Sequence, residues 1–172
     1  PELGREELLQ AVRFTVNRFA ADLGSVMPGS LSLAFEQMVG ETLQQMDEFT
    51  AAVDAHQFDL AFQPIVDLVT GALDHFEVLS RFSGDASPFE KIRFAEEIGI
   101  IERFDMAVCT RALGTLRVPP AGSPKAFKLA VNVSGRSIEN PLFMRMLLAL
   151  LDDNRDLAPR LSIEITESVQ LA

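Results

Sequence analysis

From Leu73 to Thr166 the chain alternates strand-like and helix-like segments, and this rhythm limits its fold more than any other feature. Leu73 to Phe82 reads as a strand, and residues 88–117 as helical, with Ile92, Ala95, Ile98 and Ile101 on one face. Val118 to Lys125 holds three prolines and reads as a loop. Phe127 to Val133 is strand-like. Pro141 to Leu151 is helical, with Pro141 near the first turn, where a missing N–H costs nothing. Leu161 to Thr166 is a last strand. Strand, helix, strand, helix, strand is the pattern of an α/β parallel sheet. Before it, Phe58 to Leu68 reads as a strand that turns back at Thr70-Gly71.

Successive strand side chains point to opposite faces. In the last strand Leu161, Ile163 and Ile165 alternate with Ser162, Glu164 and Thr166. In the preceding strand Leu129, Val131 and Val133 alternate with residues that include Asn132 and Ser134. Phe76 and Val78 oppose Glu77, Leu79 and Arg81. Parallel strands are usually apolar on both faces, because helices cover them. Glu77 and Glu164 break that rule, and an unpaired carboxylate in a core costs several kcal/mol. A divalent cation would compensate several such groups at once. Two glutamates and an asparagine supply hard oxygen donors suited to Mg²⁺ or Mn²⁺ rather than Zn²⁺. Each residue alone also has a plain reading: an exposed edge glutamate, a turn asparagine, or Arg81 paired with Glu77.

Residues 1–56 read as a separate helical arm. Leu8, Val12, Val16, Phe19 and Leu23 recur at helical steps, and Pro28-Gly29 breaks the run. Phe35, Met38, Thr42, Met46, Phe49 and Val53 form the stripe of a second helix. The arm is expected either to pack on residues 57–172 or to act as a signalling or dimerising helix pair.

Composition narrows the partners. Lys and Arg total 15 against 25 Asp and Glu, a formal charge of −10. Residues 1–60 hold 3 basic and 10 acidic side chains, and residues 61–172 hold 12 and 15. Such a surface repels DNA, RNA and anionic membranes. The second region accepts a small anionic ligand more readily, above all beside a cation. The lone cysteine, Cys109, rules out an internal disulfide, which fits a cytoplasmic setting, and its apolar surroundings mark it as a buried residue. No apolar run reaches the roughly 18 residues of a membrane span. No signal peptide is visible, and the start at Pro1 suggests a piece of a longer protein.

Five segments carry a resemblance. Gln63-Pro64-Ile65-Val66-Asp67-Leu68 with Thr70-Gly71 resembles the opening Q-P-I-V-D-L-x-T-G of EAL domains. Glu77-Val78-Leu79-Ser80-Arg81 resembles E-A-L-L-R, and Phe94 to Ile101 resembles A-E-E-x-G-L-I. Val131-Asn132-Val133-Ser134 resembles N-[LV]-S, and Ile163 to Ser168 resembles E-[IL]-T-E-S. The motifs stand in the family's order over residues 58–172. Residues 1–56 carry no motif of this kind.

The resemblance implies a partial TIM-like (β/α) barrel preceded by the helical arm. It implies binding of cyclic di-GMP and, in the complete parent, its hydrolysis to linear pGpG with Mg²⁺ or Mn²⁺. By motif, Glu77, Asn132 and Glu164 would hold metal. Gln63, Leu79 and Arg81 would line the dinucleotide site, and Glu167 would join Glu77 and Glu164 in catalysis. Val78, Ser80 and Phe82 depart from the usual residues, and the first two lie on the face away from Glu77. The family's paired aspartates, lysine and later glutamate fall beyond residue 172, so the 172-residue chain alone is expected to be inactive. Many EAL-like domains act as cyclic-di-GMP receptors, and a regulatory or homodimerising module is the third expectation.

Overall fold

The computed structural model describes residues 5–22, 31–82, 87–124 and 126–166. Two helices come first, α1 (Arg5–Asp22) and α2 (Leu31–Asp54). The hairpin strands β1 (Phe58–Val66) and β2 (Leu73–Phe82) follow, then α3 (Pro88–Ile98) and α4 (Ile101–Arg117). Next come β3 (Leu129–Ser134), α5 (Gly135–Glu139), α6 (Pro141–Asp153), a 3-10 turn at Ala158–Arg160, and β4 (Leu161–Thr166). The four strands form one sheet in the order β1-β2-β3-β4. The β1–β2 pair is antiparallel, while β2, β3 and β4 run parallel. This is part of a TIM-like α/β barrel, with helices covering one face of the sheet.

The hairpin loop is tied by Asp67. Its Oδ1 accepts hydrogen bonds from the backbone N–H groups of Val69 and Thr70 and from the Thr70 hydroxyl, at 2.7–3.0 Å. These donors stabilise the anion and hold the Asp67 carboxyl below its usual range.

The core lies between the helix-facing side of the sheet and helices α2 to α6. Phe49 of α2, Phe58 of β1, Phe82 of β2 and Phe104 of α4 pack together, with ring centroids 5.3–5.9 Å apart. Such tilted pairs contribute about 0.5–1.5 kcal/mol each beyond their area. The guanidinium of Arg111 lies 4.6 Å from the Phe58 ring centroid and also donates to the Phe58 carbonyl. Cys109 is fully buried, as its sequence context predicts, and burial pushes its thiol up to about 12.

Two helical readings change. The segment 88–117 is two helices, because Gly99 adopts φ 75° and ends α3. Its N–H donates to the Glu96 carbonyl and that of Ile100 to the Ala95 carbonyl, the paired bonds of a Schellman cap. A left-handed residue stops a helix whatever the periodicity on either side, so the apolar stripe alone does not reveal the break.

In α1 the first three residues of the predicted apolar stripe do not face the core, while Phe19 is half-buried. Leu8, Val12 and Val16 are 46%, 41% and 46% exposed, while Ala11 and Thr15 are buried. The Thr15 hydroxyl donates to the Ala11 carbonyl and to the Thr42 hydroxyl of α2 at 3.1 Å. Small residues bring the two helices together here, and Phe19 packs edge-on against Phe35 of α2 with ring centroids 5.3 Å apart. The stripe of α2 behaves as predicted: Thr42, Met46, Phe49 and Val53 are all buried. Leu23, the Pro28-Gly29 break, most of the Ser83–Ser87 loop and Glu167 lie outside the described residues.

Candidate functional site on the polar face of the sheet

The register of the sheet decides which polar side chains meet. Gln63 of β1 is the cross-strand partner of Glu77 of β2. Glu77 aligns with Ala130 of β3, and Asn132, two residues further along β3, shares that face. Asn132 in turn aligns with Glu164 of β4. Gln63, Glu77, Asn132 and Glu164 therefore run across all four strands on one face. The opposite face carries Phe76, Val78, Leu129, Val131, Val133, Leu161 and Ile163, which join the core cluster. Alternation along each strand sets the two faces, and burial of the apolar one against the helices holds the polar one outward.

Asn132 and Glu77 are in contact: Asn132 Nδ2 donates to Glu77 Oε1 at 2.9 Å. Both are half-buried, whereas Gln63 and Glu164 are exposed. Glu77 is thus matched with the asparagine of the next strand. Arg81 is the cross-strand partner of Asp59, and its Nη1 donates to the Ser80 carbonyl at 3.1 Å. It forms no ion pair with Glu77 among the described residues. Leu79 and Arg81 follow Glu77 on the same face of β2. Val78 and Ser80 point to the helices, where they affect packing.

Among the described residues no cluster of three His, Cys, Asp or Glu side chains gathers around a point. The donor set is smaller and includes an amide: the Glu77 and Glu164 carboxylates with Asn132 between them. Asn132 and Glu164 stand at matched register on neighbouring strands, about 4.8 Å apart, and Asn132 reaches Glu77 through its hydrogen bond. Glu77 and Glu164 stand on the two strands that flank β3, and two carboxylates on one face invite a counter-charge. In kind these residues, two carboxylates and an amide oxygen, fit a hard divalent cation. The acidic pair Asp152 and Asp153 is exposed at the end of α6 and belongs to no such row.

A further group was not singled out from the sequence. Asp105 of α4 is 3% exposed. Its Oδ2 accepts from the backbone N–H of Ser134 at 2.9 Å and from the Ser137 hydroxyl at 2.6 Å. Burial pushes its carboxyl up to about 6, against the opposing pull of those two donors. The signal that could have found it is an acid set into the apolar face of α4, among Ile101, Phe104, Val108 and Cys109.

The family model for the EAL domain matches residues 41–172. The match begins within α2, ahead of the first motif at Gln63. A probable cyclic di-GMP phosphodiesterase, PdeI of Escherichia coli K12, is 32% identical over 124 residues, which make up 69% of this chain and 16% of that protein. An uncharacterised Synechocystis protein, sll1895, is 27% identical over 92% of this chain and 24% of its own length. The chain thus spans less than a quarter of either curated relative. Among solved structures, Vibrio cholerae LapD S helix-GGDEF-EAL bound to c-di-GMP superposes with a TM-score of 0.62 at 25% identity. That match covers 72% of this chain and 30% of LapD. The FimX EAL domain gives 0.59 at 26% identity over 70% of this chain and 50% of its own. The EAL enzyme Bd1971, with cAMP and cyclic-di-GMP bound, gives 0.61 at 22% over 82% and 42%.

Proposed function

Because the chain belongs to the EAL domain family, we propose that its polar sheet face binds cyclic di-GMP and that the intact protein hydrolyses it to linear pGpG. The observation that carries this reading is the row Gln63, Glu77, Asn132 and Glu164 on one face of four strands. Three hard oxygen donors in that row suit Mg²⁺ or Mn²⁺.

In this reading Glu77, Asn132 and Glu164 hold the cation. When bound, it polarises the phosphodiester and makes water more acidic. The chain's own residues do the rest. Two carboxylates on a chain of charge −10 repel a phosphate, so nucleotide binding at this face depends on the cation. Arg81 contributes a fixed positive charge further along β2, placed for a phosphate oxygen. Leu79, between Glu77 and Arg81, offers an apolar surface and Gln63, beside Glu77, an amide for the rest of the dinucleotide. Glu167 follows β4 by one residue and is assigned to the same site.

Residues 1–56 serve as the arm of this domain. Its second half is built into the core, and the exposed Leu8, Val12 and Val16 of α1 are where a homodimer would form. A mass that rises with concentration by light scattering would support that arrangement.

The test is turnover of cyclic di-GMP by the intact protein with Mg²⁺ or Mn²⁺. Glu164→Gln is expected to abolish pGpG formation and leave folding unchanged, since Glu164 is exposed. Tight binding with no turnover in the unaltered protein would replace the enzyme reading with a receptor. Loss of folding in the variant would mean that Glu164 serves the structure.

A further inference from the structure

We propose that Asp105 is a positioning residue, which clamps the turn after β3 and thereby holds Asn132 in register with Glu164. The inference rests on the cation site proposed above. Asp105 reaches from α4 to two donors, the Ser134 N–H and the Ser137 hydroxyl, which flank the start of α5. Ser134 is two residues beyond Asn132, and its own Oγ accepts from the Arg136 N–H at 3.3 Å. The same turn meets β4. Ser134 pairs with Thr166, and the Thr166 hydroxyl donates to the Val133 carbonyl at 3.4 Å. The clamp therefore sits where the ends of β3 and β4 meet, two residues past both Asn132 and Glu164.

A carboxylate is an expensive way to tie a turn inside an apolar helix face. Asp105 lies among the buried Ile101, Phe104, Val108 and Cys109, and among the described residues no basic side chain forms an ion pair with it. An apolar residue there would fill space without the desolvation cost. What an apolar residue cannot provide is one oxygen that receives both donors of the turn. Side chains that orient metal ligands without touching the metal commonly change metal affinity by about 10- to 100-fold when removed.

The experiment titrates the intact protein with Mg²⁺ or Mn²⁺ by calorimetry, without nucleotide, and follows urea unfolding in parallel. Asp105→Ala is expected to weaken cation affinity by about 10-fold or more. Asp105→Asn, which still offers one oxygen to both donors, is expected to restore it. Ser137→Ala removes a single hydrogen bond, is expected to fall between them, and decides the matter if Asp105→Ala fails to fold. Wild-type affinity in Ser137→Ala and in a folded Asp105→Ala would overturn the positioning role while leaving the cation site standing. An unaltered protein with no cation affinity would overturn both.

Discussion

Asp105 should make stability depend on pH in a direction opposite to that of an ordinary salt-bridged carboxylate, and replacing it by Asn should remove that dependence. In the folded protein the Asp105 carboxyl is pushed from 3.8 to about 6, with burial the largest cause. The folded state therefore holds this proton more tightly than the unfolded state. Between those two values the folded protein binds more protons, so stability falls as pH rises. At about 1.4 kcal/mol per pKa unit, the full effect is about 3 kcal/mol, complete once pH passes about 6. Asn keeps an acceptor for Ser134 and Ser137 and carries no charge. Near pH 4 the variant and the unaltered protein should be about equally stable. Toward pH 7 the variant should gain up to about 3 kcal/mol over the unaltered protein. Urea unfolding at half-unit steps from pH 4 to 7.5 reads this difference directly and cancels the other carboxylates. A flat difference, or one that turns against the Asn variant as pH rises, would refute the reasoning. It would mean that the two hydrogen bonds outweigh desolvation.

Three other outcomes are expected. Arg81→Ala should weaken cyclic di-GMP binding with little change in stability, because Arg81 is exposed and has no carboxylate partner among the described residues; unchanged affinity by calorimetry would remove it from the site. Phe104→Ala opens a hole among Phe49, Phe58 and Phe82 and should cost about 3–5 kcal/mol, seen as a lower urea midpoint. Gly99→Ala places a Cβ on a residue at φ 75°, facing the Gln10 side chain, and should cost about 1–2 kcal/mol in the same assay.

Much of the sheet was legible in the sequence because side-chain alternation is local. Leu161, Ile163 and Ile165 against Ser162, Glu164 and Thr166 already separate the faces of β4, and the bounds of β2 and β4 agree with the strands observed. Thr70-Gly71 marks the hairpin for an equally local reason, since Gly71 takes φ 69°. Helix packing was less legible. The α1 stripe looks like a core face by periodicity, yet Ala11 and Thr15 are the residues buried. Periodicity shows that a helix has two faces, but the shape of its neighbour selects the one that packs.

The sequence by itself determined that Glu77, Asn132 and Glu164 each stand on the polar side of an amphipathic strand. Only the tertiary structure decided that they form one row beside Gln63, because register between strands depends on how α3 to α6 pack across the sheet. The same packing turned Asp105 from one charged residue in a helix into a buried anion holding the turn after β3. Its partners, Ser134 and Ser137, lie far along the chain. Their meeting depends on the α4–β3 contact, which no local pattern encodes.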